Sequence, residues 1–244
     1  MRSRGLSATR LRVVGFVLVG LGAVSSAIAV AQGPHRGAVS TSTLTAVVLL
    51  EAVSWVAVPI FAWLLWQGFR NTAHRGRYAL RLALLAVLTE VPYDLATSGR
   101  VWDLGSQNPV FALLVGFVVM WALDYLLAGA KRQVGLAVLV CVAGVLWLAI
   151  FNVGLRLGIA PMGVVLLLFC LVFYFLGSRE NTMMMVGGAL GALALILPAV
   201  GMMLLHFRST EEPGGEPRAD SRRYLLYGLY PLGLLAVGVV GALS

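Results

Sequence analysis

The sequence predicts an all-α fold, a polytopic membrane bundle of about eight transmembrane helices, each needing about 20 mainly apolar residues to cross a bilayer. Hydrophobic residues make up 60% of the 244 and charged residues 11%, and the mean hydropathy is +0.92. A soluble domain of this size has no core large enough to hide that much apolar surface. The apolar residues also come in long continuous runs without the alternation of a membrane barrel, so helices are the way this backbone satisfies itself in lipid.

The first run, Leu11–Ala31, follows Arg2, Arg4 and Arg10. Its basic start and Ala29-Val30-Ala31 ahead of Gln32 resemble a cleavable signal, but the apolar stretch from Val13 is longer than a signal's, and retention as the first helix is expected. The second run, Leu44–Phe69, contains Glu51 and ends in a turn with Arg70, Arg75 and Arg77. The third, Tyr78–Thr97, holds Arg81, Glu90 and Asp94, with Pro92 expected to kink it. Pro109–Ala128, Val134–Gly154 and Leu157–Leu176 follow. Cys141 and Cys170 fall inside these spans, so neither a disulfide framework nor a zinc site is expected. The seventh run, Met183–Leu205, contains Gly187-x-x-x-Gly191, a spacing for close helix packing, and Gly233, Gly238 and Gly241 of the last run, Tyr224–Leu243, read the same way. Residues 206–223, HFRSTEEPGGEPRADSRR, read as a flexible charged loop within a single integral membrane domain, 1–244.

The formal net charge is +8, which in a membrane protein reports topology rather than nucleic acid binding. With the N-terminus in the cytoplasm, the inside collects Arg2, Arg4, Arg10, Arg12, Arg70, Arg75, Arg77, Lys131, Arg132 and Arg179. The outside receives Arg36, Arg100, Arg156 and the 206–223 loop, and both termini are expected in the cytoplasm. Arg208, Arg218, Arg222 and Arg223 in that loop run against the rule.

Few motifs carry chemistry. His35, His74 and His206 have no metal-ligand spacing, so no metal is expected, and phosphate-binding loops, dinucleotide fingerprints and nucleophile elbows are missing. The informative residues are the carboxylates inside the runs. Glu90 and Asp94, four apart, share one helix face, and Glu51 and Asn108 belong to the same outer half. Charges at such depth mark a site or form a structural ion pair, with Arg156 as the obvious partner; the sequence leaves both open. Gln67, Arg81 and Asp124 gather instead near the cytoplasmic face. The Arg70–Arg77 turn reads either as plain positive-inside topology or as a cluster suited to phosphates.

Pro59-Ile60-Phe61-Ala62, Gln67-Gly68-Phe69, Thr72, Tyr78, Arg81-Leu82 and Thr89-Glu90-Val91-Pro92-Tyr93-Asp94-Leu95, followed by Asn108 and Phe111, resemble the signature of TraX-like membrane proteins. The likeness is close from Pro59 to Phe111 and extends by span layout to Tyr227-Gly228-Leu229-Tyr230-Pro231, similar to the family's closing segment. The resemblance implies a bacterial multi-pass protein of the cell membrane, related to acetyltransferases that modify pilin and carry acetyl from cytoplasmic acetyl-CoA to a lipid, glycan or protein acceptor. It also implies histidines that this chain lacks. Val19-Gly20-Leu21-Gly22-Ala23 stands where an Asp-His pair is usual, Gly233 where a His closes the Tyr-Pro segment, and Trp55 where an Arg is frequent.

Three readings follow. In an acetyltransferase of altered mechanism, Glu90 or Glu51 acts as base beside Asp94. Arg70, Arg75, Arg77 and Arg81 then hold the CoA phosphates, and Asn108 polarises the thioester carbonyl. A catalytically silent relative keeps the fold and binds a partner or membrane lipids. A small proton-coupled transporter would use the kinked third helix as its broken element, although no inverted repeat is visible.

Overall fold

The computed structural model describes residues 5–32, 40–128, 132–156, 160–209 and 221–243. The described residues form α1 (Ala8–Gln32), α2 (Thr41–Ser54), α3 (Ala57–Asn71), α4 (Arg75–Ser98), α5 (Pro109–Leu127), α6 (Val134–Ile150), α7 (Met162–Leu176), α8 (Glu180–Leu193), α9 (Leu197–His206) and α10 (Ser221–Leu243). A two-residue ladder joins β1 (Leu155–Arg156) to β2 (Ala160–Pro161) between α6 and α7. Arg2, Arg4, His35, Arg36, Lys131, Arg218 and the rest of 210–220 lie outside the described residues, as do the side chains of Arg156, Arg222, Arg223 and Tyr227. The expected all-helical fold stands. By length and composition, α1, the 31-residue segment Thr41–Asn71 and α5 can each cross a membrane, and α6, α7, α9 and Gly228–Gly241 are shorter apolar helices.

Each break in the helices has a local cause. Pro59 has no N–H to give the Trp55 carbonyl, which instead accepts from Val58 N–H at 3.1 Å, and α2 gives way to α3 at Trp55–Val56. The α4 helix stops at Gly99, whose left-handed φ of 69° closes a bond from its N–H to the Leu95 carbonyl, as a C-terminal glycine does. Pro92 leaves α4 unbroken from Arg75 to Ser98, so the expected kinked third helix is not where the chain breaks.

Helix α3 is the axis of the core. Ile60, Leu65 and Phe69 are buried against Phe117 and Met120 of α5 and Phe169 and Phe173 of α7. Phe69 meets Phe117 edge-on at 5.4 Å, and Tyr78 of α4 stacks on Phe117 at 4.7 Å. Small residues set the close approaches: Gly15 of α1 lies on the Phe61 ring, and Gly144 of α6 lies between Val119 and Leu167. On α6 Ala137, Gly144 and Leu148 are buried, Val140, Cys141 and Val145 are partly buried, and the rest is exposed, as a helix at the bundle's edge requires in lipid.

The expected seventh span, Met183–Leu205, is two helices that double back. Gly191 of α8 lies against Ala199 of α9, and Gly187 against Met202, so the two are antiparallel. At about 1.5 Å per residue, the 14 residues of α8 reach about 21 Å, short of the roughly 30 Å of a hydrocarbon core. Leu195 and Ile196 turn the hairpin at φ of 66° and 67°. The exposed side chains of Leu193, Leu195 and Ile196 suit a tip that ends in lipid.

The hairpin decides where the chain goes next. Arg208 pairs with Glu180 at 3.0 Å, donates to the Leu205 carbonyl at 2.8 Å and lies over the Trp63 ring. Leu6 N–H donates to the Phe207 carbonyl at 2.8 Å, and Ser209 N–H to the Leu6 carbonyl at 3.0 Å. Residues 206–209 therefore lie at the end of the bundle where α1 begins. From there α10 runs parallel to α1, with Tyr230 beside Phe16 and Gly241 beside Ala27. This path differs from the expected one, which put residues 206–223 at the far face and both chain ends together. The turn at 194–196 reverses the chain, so the start of α1 and the end of α10 lie at opposite ends of the bundle.

Two measurements check this path. In a cysteine-free background, His74→Cys and Ser209→Cys should react with an impermeant thiol reagent from the same side of the membrane, and Trp102→Cys from the other. Labelling of Ser209→Cys from the Trp102 side would refute the hairpin. At the tip, Ile196→Gly should be more stable in detergent than Ile196→Ala by about 1 kcal/mol, read as a higher unfolding temperature, because both remove the side chain and only glycine is at ease at positive φ.

Candidate functional site

Two polar regions lie at opposite ends of α4 and α5. At the end remote from the start of α1, Asn108 begins α5. Its Oδ1 accepts Val110 N–H at 2.9 Å and Pro109 takes the first helical position, where a missing N–H costs nothing. The amide nitrogen Nδ2 donates to the Ala86 carbonyl at 2.8 Å and, in a short contact, to Glu90 Oε2. The Asn108 backbone N–H donates to the same oxygen at 3.1 Å. Glu90 is half-buried, with one oxygen held by two donors. Among the described residues nothing is bonded to the other, Oε1.

One turn further, α4 grips the loop that leads to Asn108. Asp94 is buried, and its Oδ2 accepts Asp103 N–H at 2.9 Å. Its Oδ1 has no hydrogen-bond partner among the described residues. Tyr93 OH lies 3.1 Å from Ser106 Oγ, which donates to the Leu155 carbonyl at 2.7 Å. Gly154 N–H donates to the Gln107 carbonyl at 2.7 Å. Residues 99–108 are thus pinned between α4 and the segment after α6. The expected Arg partner for the carboxylates is Arg156, whose side chain lies outside the described residues. The partners the structure does place on Glu90 and Asp94 are N–H groups of Asn108 and Asp103.

Glu51 is buried on α2. It shares a buried stripe of α2 with Val47 and Ser54, and the Val47 carbonyl accepts Ser25 Oγ of α1 at 2.8 Å. Glu51 belongs to the α1–α2 seam, and the Glu90–Asn108 network belongs to α4 and α5.

The arginines lie at the other end. Arg75 is tied to Asp124 at 2.6 Å and lies over the Phe69 ring, and Arg70 lies over the Trp66 ring. Arg70, Arg77 and Arg81 are exposed. Asn108 and Asp124 bracket α5, and 16 residues at about 1.5 Å each put the two regions about 24 Å apart. Asn108 has spent both amide hydrogens on protein, so a thioester carbonyl finds no donor there unless the Glu90 or Ala86 bond breaks. Among the described residues no cluster of histidine, cysteine or carboxylate fits a metal ion.

Sequence reasoning found Glu90, Asp94 and Asn108 and missed how they are joined. The signal was present in Asn108-Pro109, a cap residue followed by proline at the first helical position, which assigns Oδ1 to the helix and leaves the amide hydrogens for neighbours. Tyr93 and Ser106 were missed because their bonds depend on tertiary contact alone.

A sequence model of one family, described as TraX protein, matches residues 22–241. The chain belongs to the TraX family. No curated protein and no solved structure gives a significant match. The TraX match begins inside one of the two places where the resemblance implies histidine, residues 19–23, and includes the other, Gly233. Phe16 meets Tyr230, and Ala27 meets Gly241, so residues 19–23 of α1 and Gly233 of α10 fall at one depth. A Cβ at Gly20 or at Gly233 would meet nothing within 4 Å.

The Asn108 network can be tested by substitution. Asn108→Ala should lose the cap, about 1 kcal/mol, with the amide bonds. Asn108→Asp keeps a capping oxygen yet places a second carboxylate against Glu90, so its thermal unfolding temperature in detergent at neutral pH should be the lower of the two. Adding Glu90→Gln to Asn108→Asp should restore most of that difference, and additive losses in this cycle would mean that the two residues are not coupled.

Proposed function

We propose that this TraX protein moves acetyl groups from acetyl-CoA, bound at the arginine end of the bundle, to an acceptor at the opposite end. The arginine end faces the cytoplasm in this reading. Arg10, Arg12, Arg70, Arg75, Arg77, Arg132, Arg179 and Arg208 lie there, and the segment joining α9 to α10 starts and finishes there, which agrees with the positive-inside rule. Arg70, Arg77 and Arg81 are the exposed cations suited to the phosphates. Arg75 positions the turn through Asp124.

The observation that carries the proposal is the arrangement of Glu90. One carboxylate oxygen is fixed by Asn108, and the other is left to take a proton, which is the arrangement a general base needs. The acceptor's nitrogen or oxygen attacks the thioester carbonyl, its proton passes to Glu90 Oε1, and the C–S bond breaks. The departing thiolate then takes up that proton. Asn108 is a positioning residue in this scheme. Asp94 and Glu51 are the further carboxylates of the membrane interior, and the acceptor is a lipid, glycan or protein group presented at the far surface.

A second reading, a catalytically silent TraX protein that binds a partner or lipid, is favoured by one observation. The stretch Val19–Ala23 and Gly233, where the resemblance implies histidine, come to the same depth on α1 and α10 without one, and Gly20 and Gly233 stand in open space.

Membranes containing the protein and labelled acetyl-CoA separate the two. Transfer of label to lipid, glycan or protein, reduced about 10²–10⁴-fold in Glu90→Gln, is the expected result. In sealed vesicles it should require acetyl-CoA on the side of His74. Transfer that survives Glu90→Gln at full rate removes Glu90 as base. Absence of transfer from either side, with the protein folded, favours the silent reading.

A further inference from the structure

A cavity of about 190 Å³ opens at the end of the bundle remote from the arginine turn, between α1, the last turn of α4, the 99–108 loop and the segment after α6. Ser26, Thr97, Ser98, Asp103 and Ser106 line it, with Ala29, Gly105 and Leu155. Its polar groups share one property. Every hydroxyl hydrogen in the wall is already given to a backbone carbonyl: Ser26 Oγ to Gly22 at 3.1 Å, Thr97 Oγ1 to Tyr93 at 2.8 Å, Ser98 Oγ to Asp94 at 2.8 Å and Ser106 Oγ to Leu155 at 2.7 Å. A hydroxyl has one hydrogen to give and two lone pairs to offer.

The loop's own donors are turned inward in the same way. Arg100 N–H goes to Ser98 Oγ at 3.2 Å, Asp103 N–H to Asp94 Oδ2 at 2.9 Å, and Gly105 N–H to Asp103 Oδ1 at 3.0 Å. With these hydrogens given away, the hydroxyls offer lone pairs to the cavity, beside one carboxylate, Asp103. An anion or a carbonyl compound finds no hydroxyl hydrogen there to accept. A group rich in N–H donors and positively charged finds several acceptors and a counter-ion.

Size narrows the class. A volume of 190 Å³ is well above the roughly 10–15 Å³ that one water needs, more than a bare alkali ion fills and enough for an ammonium group with a few attached atoms. We propose that this cavity binds a small primary ammonium group of the kind carried by an ethanolamine headgroup, with Asp103 as counter-ion and Ser26, Thr97, Ser98 and Ser106 as acceptors. The site lies at one end of the bundle, as a lipid headgroup requires, and it stands whether or not the chain transfers acetyl groups.

The test uses the full chain in detergent, titrated at constant ionic strength with ethanolamine, choline or sodium chloride while thermal unfolding and tryptophan emission are followed; Trp102 stands next to Asp103 and is exposed. Choline carries the charge without N–H donors, and sodium carries it without the volume. Ethanolamine should give a saturable rise in unfolding temperature that choline and sodium do not. Asp103→Asn should weaken it about tenfold, the effect of one charge-assisted hydrogen bond. Ser26→Ala, a smaller change on a separate helix, should weaken it less and keeps the test usable if Asp103→Asn fails to fold. An equal response to all three cations, a response to sodium alone, or an ethanolamine response unchanged in both variants would overturn the proposal.

Discussion

The fold at the remote end of the bundle hangs on how Asn108 is satisfied. The residue is completely buried, and in an apolar surrounding each of its polar groups must find a partner or cost free energy. Its Oδ1 starts α5, its amide hydrogens reach the Ala86 carbonyl and Glu90, and its backbone N–H reaches Glu90 again. One side chain thereby sets where α5 begins, how α4 and α5 are registered and which way the Glu90 carboxylate faces. A buried network of this kind holds as a unit, because a half-satisfied version is worse than none. The loop from Gly99 to Gln107 follows from it. With both ends of the loop fixed, Asp94 and Ser106 hold the middle, and the cavity beside Ser26 is the space left between that loop and α1.

Most of the helices were legible because lipid imposes a coarse rule that apolar run length answers directly. The first, fourth and last runs begin and end within a few residues of α1, α5 and α10. The α8–α9 hairpin escaped because Leu193 to Val200, LALILPAV, is apolar on both sides of its turn, so hydropathy is blind to a reversal there. Two signals did point to it. Gly187 and Gly191 mark the face where α9 lies against α8, and the arginines of residues 206–223 stood on the wrong side of a layout without the hairpin. Once the chain doubles back, that conflict disappears. Among the described segments, those at the far end then hold Arg100 and Arg156 as their basic residues.

For the site, residue type was legible and partnership was not. A glutamate deep in an apolar run asks for explanation, and both Glu90 and Asp94 drew it. Spacing along one helix says which residues share a face, but it cannot say that the donors come from Asn108 and Asp103, because those contacts depend on how the 99–108 loop folds back. The same limit applies to Arg75. Its charge was legible as part of a basic turn, whereas its pairing with Asp124 depends on the antiparallel packing of α4 on α5. That pairing withdraws one arginine from any phosphate and leaves Arg70, Arg77 and Arg81.

The two ends of α4 are held in different ways, and this constrains how they can influence one another. At the arginine end, Arg75 is clamped to Asp124 and Tyr78 is stacked on Phe117. At the remote end, Glu90 and Asp94 hold Asn108 and the loop. A helix fixed at both ends against the same neighbour, α5, transmits little by bending, since packed elements shift between discrete arrangements and do not deform continuously. Helix α10 lies along α4 through Gly238 against Leu95 and Ala96, and the turn of the α8–α9 hairpin holds Leu195 and Ile196 at positive φ. Residues held in that region cost about 1–3 kcal/mol each and persist only while their surroundings enforce them. The strain thus lies in the hairpin, at Leu195 and Ile196, and the rigidity in α4 and α5, which the Arg75–Asp124 pair holds at one end and the Asn108 network at the other.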